Sequence, residues 1–356
     1  MSLFKNMLSD SESLFVNEIA LDYDFLPKKL PYRGSQQEHM AACIKPLFQK
    51  RNGKNLVIFG LPGIGKTAAC RKVLEELEEQ SEEIIPIYVN CWQHNTTYKI
   101  VLEICNKIGY RLTMNKKTNE LLDIVIEKLN KNLGTVFVFD EIDKAEDLDF
   151  LYTLLEKMYR KSIFLITNNK KDILDIDERI KSRLTPETLE FEPYNLAETE
   201  GILRQRKDIT FVRNVWSEDA FGLIVKKTFD LKDIRKGLYL LKEGGSAAEQ
   251  ESKRKIELKH TETAISKLDS FFSKKENELS EEEQSILDLI KKNPNKKIGD
   301  LFKQYQESGS KGSYKSFQRR IEKLEKGKFI SAEKTKGGKL GNTKIINIKN
   351  KQLTDF

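Results

Sequence analysis

The run Gly60-Leu61-Pro62-Gly63-Ile64-Gly65-Lys66-Thr67 constrains this 356-residue chain more than any other stretch. It fits the phosphate-loop pattern G-x-x-x-x-G-K-[ST] at every fixed position. Its surroundings fit as well. Asn55-Leu56-Val57-Ile58-Phe59 is a short apolar, β-branched run that reads as a buried parallel strand. From Ala68 to Leu77, apolar residues recur at helical spacing. Glycines let the backbone wrap closely around an anion, and the amides then converge on it with the positive end of the following helix behind them. Gly60, Pro62, Gly63, Ile64, Gly65, Lys66, Thr67 and Ala68 are therefore the candidate phosphate cradle. Lys66 would reach the β- and γ-phosphates of ATP or ADP, and the Thr67 hydroxyl would hold Mg²⁺.

A second half-site follows downstream. Thr135-Val136-Phe137-Val138-Phe139 ends in Asp140-Glu141-Ile142-Asp143. A buried strand closing in adjacent carboxylates suits Asp140 to organise the metal through its water shell, and Glu141 to polarise the attacking water. Ser162–Thr167 is another apolar strand, ending at Asn168-Asn169. Asn168 is the candidate for positioning that water, with Asn169 as helix cap or loop. Arg179 and Arg183 lie one turn apart on one helical face. With strands at Ile84–Asn90 and Leu189–Phe191, the alternation implies an α/β fold with a doubly wound parallel sheet. Helices are expected near Ser35–Lys50, Thr97–Ile108 and Asn119–Asn132, the last capped by Thr118. Pro27 and Pro31 precede the first helix and could wall the adenine; a helix merely packed on the sheet fits equally.

From Asn195 the pattern turns helical, opening with the capping-box-like Asn195-x-x-Glu198. Helices at Ser217–Lys227, Leu231–Lys242, Ala247–Leu258 and His260–Phe272 read as a lid, in which Arg235 could swing onto the phosphates. Ser273–Ser280 reads as a linker. Ser280-Glu281-Glu282-Glu283 opens a tail of three helices and a hairpin, a winged helix. From Glu283 onward there are 18 Lys and Arg against 8 Asp and Glu, a net of +10 out of +7 for the whole chain. The preceding 282 residues thus carry −3, which places the attraction for an anionic partner in the tail. Its third helix carries Tyr314, Lys315, Gln318, Arg319, Lys323 and Lys326, with Phe317, Ile321 and Leu324 turned inward; Lys339 lies in a basic, glycine-rich wing. Such a helix fits the major groove of duplex DNA. A solvated basic face or a protein contact is the competing reading.

No apolar run spans a bilayer and no secretory signal is visible, so cytoplasm is expected and no membrane partner. Cys43, Cys70, Cys91 and Cys105 are scattered, and His39, His94 and His260 dispersed, a pattern supporting neither zinc nor disulfides.

The ordered set of motifs resembles the archaeal origin-recognition/cell-division-control initiators, within the AAA+ ATPases. It includes Tyr32-Arg33-Gly34, Tyr88-Val89-Asn90-Cys91, Asp140–Asp143, Arg179–Leu184, Pro193-Tyr194-Asn195, Asp233–Leu238 and Ile321–Ile330. The resemblance implies a nucleotide domain over 1–194 with Tyr32 and Arg33 in the cofactor site, a lid over 195–275, and a winged helix over 276–356. It implies a replication initiator that hydrolyses ATP slowly, binds origin duplex DNA, helps load the replicative helicase and can act with other initiator subunits. Asn168 becomes the first sensor, Arg235 the second, and Arg183, with Arg179 as rival, the finger for a neighbouring subunit. The helix at Thr96–Ile108 and the basic loop Arg111–Lys117 fall where the family touches DNA. The wing reads Gly337-Gly338-Lys339-Leu340-Gly341 where the family usually has Gly-Arg-Gly-Gly. Two other readings remain: a non-catalytic DNA-binding regulator holding nucleotide as a structural ligand, and another AAA+ loader, whose helical collar would not end in a hairpin.

Overall fold

In the computed structural model, residues 13–169, 176–277, 279–307, 312–326, 329–335 and 343–348 are described. The chain divides into two compact units, Met1–Leu258 and Lys259–Phe356.

The first unit is built on five parallel strands: β1 (Leu56–Phe59), β2 (Ile84–Asn90), β3 (Gly134–Asp140), β4 (Lys161–Thr167) and β5 (Glu187–Glu190), in the order β2-β3-β4-β1-β5. Alternate residues face opposite layers. Val57, Phe59, Phe137, Phe139, Ile163 and Leu165 pack with α3 (Thr97–Lys107), α4 (Thr118–Leu129), α5 (Asp149–Lys157) and α6 (Glu178–Leu184). Leu56, Ile58, Val136, Val138, Phe164 and Ile166 pack with α1 (Gly34–Ile44) and α2 (Lys66–Gln80). Both faces are covered, which is why these strands read as unbroken apolar runs. Every residue of β3 is buried, and each large side chain there contributes about 1.5–3 kcal/mol by leaving water. β1 lies between β4 and β5, so the turn after it opens where the strand order reverses, the place where ligands meet sheets of this kind.

Helices α7 (Leu196–Thr210), α8 (Glu218–Leu231) and α9 (Ile234–Gln250) complete the first unit. Asn195 and Glu198 form the expected capping box on α7. The second unit holds α11 (Glu281–Lys292), α12 (Ile298–Glu307) and α13 (Tyr314–Lys326), with β6 (Lys296–Lys297), β7 (Ile330–Thr335) and β8 (Thr343–Ile348) in an antiparallel β6-β8-β7 sheet. This is the element order of a winged helix, closed over Ile286, Leu287, Leu301, Phe317, Ile321, Leu324 and Ile346.

Three expectations change. Thr118 is the first helical residue of α4, not its cap; Lys117 holds that position without a side-chain hydrogen bond. No helix covers Ala247–Leu258: α9 runs on to Gln250, and Ile256 instead bridges to Trp216 in extended conformation. Gly244 and Gly245 did not break α9, because their bare faces seat Trp216, Phe15 and Phe211. The proposed linker is mostly helical, since α10 spans Leu258–Asn277. The two-residue β6 was too short to show a period.

Candidate functional site

The phosphate loop forms as its glycines require. Gly63 and Gly65 take φ of +72° and +89°, which side-chain-bearing residues rarely adopt. A Cβ on Gly65 would stand 2.6 Å from the Tyr194 hydroxyl, and one on Gly63 would overlap the Asp233 carboxylate. Lys66 begins α2, and its Nζ donates to the carbonyls of Gly60 (2.7 Å) and Leu61 (2.8 Å) and to Asn168 Oδ1 (3.0 Å). Burial lowers its pKa to about 8, and the Arg235 charge acts in the same direction against Asp140.

At the end of β3, Asp140 Oδ2 accepts from Thr67 Oγ1 (2.6 Å) and Tyr88 Oη (2.8 Å), while Oδ1 accepts from the Glu141 amide (2.9 Å). The hydroxyl and carboxylate oxygens at this point are the hard donors that Mg²⁺ prefers, so Thr67 and Asp140 fit as its holders. Glu141 sits in the left-handed region at φ 53°. Burial raises its pKa, assisted by the charges of Asp140 and Asp143. The consecutive residues Lys66 and Thr67 thus bond, one to Asn168 after β4 and the other to Asp140 at the end of β3, which brings the ends of both strands to the phosphate loop.

Arg33, expected in the cofactor site, is engaged with backbone carbonyls of the protein itself. Its guanidinium is buried, donates to Ile64 O (3.2 and 3.0 Å) and Glu192 O (2.8 Å), and lies 3.9 Å above the centre of the Tyr194 ring. It braces the phosphate loop by its backbone. Tyr32 is half exposed, with its hydroxyl against Gly201 of α7.

The first turn of α9 is docked on the loop: the Ile234 amide donates to Gly63 O at 3.1 Å. Asp233 caps α9 through the Arg235 amide and also accepts from the Arg235 guanidinium, Nε to Oδ1 at 3.1 Å and Nη2 to Oδ2 at 3.2 Å. Asp233 thus holds Arg235 through two of the five N–H donors of its guanidinium. Asp233, Tyr88 and Tyr194 appear in the sequence only within the family-like motifs. A carboxylate two residues before an arginine was the signal available for the first; nothing local marked the tyrosine contacts.

Three comparisons bear on the chain. The AAA domain family matches residues 49–172, and the Cdc6 AAA+ ATPase-type lid domain family matches residues 200–266. The chain is 30% identical over 353 residues to ORC1-type DNA replication protein 2 of Archaeoglobus fulgidus, covering 96% of this chain and 93% of that one. It belongs to the ORC1-type DNA replication protein family. A second relative, ORC1-type DNA replication protein 2 of Methanothermobacter thermautotrophicus, is 29% identical, with 96% of this chain and 94% of the relative covered. The fold resembles the Aeropyrum pernix ORC1 protein solved in complex with DNA (TM-score 0.68, 24% identity, 96% and 95% covered). It also resembles the ADP form of Aeropyrum pernix ORC2 (TM-score 0.70, 19% identity, 94% of each chain covered).

In this ORC1-type chain the remaining predicted residues fall as follows. Arg179 is bidentate to Asp177 (Nε 3.1 Å, Nη2 2.9 Å) and exposed. Arg183 donates to Arg179 O, lies over the Tyr152 ring at 4.7 Å and approaches Glu156 at 3.9 Å. On α13, Lys315, Arg319 and Lys323 are exposed as predicted, opposite buried Phe317, Ile321 and Leu324. Lys323, however, pairs with Glu283 Oε1 at 2.7 Å. Tyr314 packs edge-on against Phe302, with Gln318 partly covered. Lys326 ends α13, and Lys339 lies outside the described residues. Between α3 and α4, Leu112 and Met114 stand out at 74% and 86% exposure beside Arg111, Lys116 and Lys117. Among the described residues, no helix is long and apolar enough to cross a membrane.

Proposed function

We propose that the chain is a cytoplasmic replication initiator whose ATP-binding unit governs how its winged helix engages duplex DNA. Family membership supports this reading, and the convergence of Lys66, Thr67, Asp140 and Asn168 carries its ATPase part. In that site Lys66 meets the β- and γ-phosphates, and Thr67 and Asp140 hold Mg²⁺, which supplies charge neutralisation at the phosphates when bound. Glu141, its pKa raised, accepts the proton of the attacking water, and Asn168 orients that water. Arg235 exchanges Asp233 for phosphate.

Arg179 or Arg183 serves a neighbouring subunit. Arg179 is the more exposed of the two; Arg183 is packed on α5. An isolated chain then lacks an arginine from its neighbour at its own site and hydrolyses slowly, since an arginine finger is worth about 10³–10⁵ in turnover. Within the proposed organisation, 1–194 is the nucleotide domain, 195–275 the lid and 276–356 the DNA reader, with Lys315 and Arg319 its principal contacts and Lys339 a wing contact. Recruitment of the replicative helicase follows as the downstream role.

The test is duplex binding against salt, with and without ATP. Affinity should fall steeply as salt rises, because phosphate contacts release counterions. Salt-insensitive binding, or binding that survives loss of residues 281–356, would refute the tail assignment.

A further inference from the structure

His39 and Cys43 stand one helical turn apart on α1, and Glu187 opens β5, the edge strand of the sheet. Their ligand atoms are gathered. His39 Nε2 lies 3.0 Å from Glu187 Oε2, Cys43 Sγ lies 3.9 Å from the same oxygen, and all three atoms fall within 4.8 Å of one another. Nothing in the nucleotide site uses them.

We propose that His39, Cys43 and Glu187 form a site for a zinc-class divalent transition metal, with the fourth position open to solvent. Three observations carry this. The spacing is close: around a tetrahedral zinc with bonds of 2.0–2.3 Å, neighbouring ligand atoms lie about 3.3–3.6 Å apart, and Glu187 Oε2 already stands 3.0 Å from the imidazole nitrogen and 3.9 Å from the sulfur. The donor set is selective: imidazole, thiolate and one carboxylate suit zinc, whereas Mg²⁺ avoids sulfur. The carboxylate is also oriented, because Lys54 Nζ holds Glu187 Oε1 at 2.8 Å and leaves Oε2 toward the His and Cys, the kind of outer contact that steers a ligand.

His39 and Glu187 are each about 40% exposed at the side chain, which gives an entry path. Cys43 is buried behind them. On binding, the sulfur–metal bond forms and the thiol proton passes to solvent. The site would tie α1 to β5 next to β1. Arg33, at the start of α1, holds the phosphate loop by Ile64 O, so the metal would steady that brace. The competing explanation is an ion pair between His39, Glu187 and Lys54 with a thiol packed beside it.

Cobalt(II) titrated into the full, nucleotide-free chain distinguishes the two. A one-to-one complex with a sulfur-to-cobalt charge-transfer band is expected, displaced by Zn²⁺ and untouched by excess Mg²⁺. Cys43→Ser should abolish the band. His39→Gln, at the surface and safe for folding, should weaken Co²⁺ binding at least tenfold. No band with the wild-type chain, a band retained in Cys43→Ser, or full Co²⁺ affinity in His39→Gln would each overturn the site.

Discussion

Lys66 carries the most information of any residue because its burial and its role pull against each other. Its folded pKa of about 8 lies below the 10.5 of an ordinary lysine. The unfolded chain therefore holds more protons between those values, and the empty protein gains stability as pH rises from 8 toward 10.5. Nucleotide binding runs the other way, since phosphates favour the charged amine. ATP affinity should be flat below pH 8 and fall by up to about tenfold per unit above it, as equilibrium titrations from pH 7 to 9.5 would register; a flat profile across that range contradicts the role. Lys66→Ala should abolish nucleotide binding. Glu141→Gln should keep it while losing about 10²–10⁴ of the turnover, read by parallel binding and phosphate-release assays. Asp233→Asn tests the arginine latch. Asparagine caps helices as well as aspartate does, so α9 persists, but the ion pair to Arg235 is lost. Tighter ATP binding is expected, and unchanged or weaker binding argues that Asp233 does not restrain Arg235.

Elements were legible where the local pattern and the packing agree. The strand before the phosphate loop and the capping boxes at Asn195 and Ser280 formed where the sequence placed them. The predicted faces of α13 did too, with Phe317, Ile321 and Leu324 inside. What failed depends on distant partners. Two adjacent glycines look like a helix stop, yet in α9 they are the socket for aromatic rings arriving from residues 15, 211 and 216. The Arg33 brace and the gathering of His39 with Glu187 have no local signature at all, because both exist only once β5 lies against β1. Gly245→Ala measures the socket. Alanine gains about 1 kcal/mol of helix propensity, but its Cβ would stand 2.5 Å from Phe15 Cζ and 2.6 Å from Phe211 Cε1. Overpacking of that kind costs about 1–3 kcal/mol, so the net effect should be destabilising, and a raised denaturation midpoint would contradict it. Phe317→Ala, in contrast, removes a fully buried ring and should lower the stability of the second unit by about 3–5 kcal/mol, followed by denaturation of residues 259–356.

At the scale of the molecule, charge is divided unequally along the chain, with the excess of lysine and arginine beyond Glu283. Removing one cation that neutralises a DNA phosphate should lower the slope of log affinity against log salt by about 0.9. Lys315→Ala with Arg319→Ala should therefore reduce it by about 2. Lys323→Ala should do less, because its amine already faces Glu283; a drop of a full unit on that change would show that DNA displaces the pair.

Finally, α9 begins on Gly63 and ends beyond the pocket that holds Phe15. Seventeen helical residues make a rod about 25 Å long. A rod pried from the phosphate loop at its first turn also levers its far end, where Phe15 packs on Gly245 and Ser13 and the Leu14 amide donate to Glu249. The phosphate loop at one end and the seating of residues 13–15 at the other are thus mechanically in series.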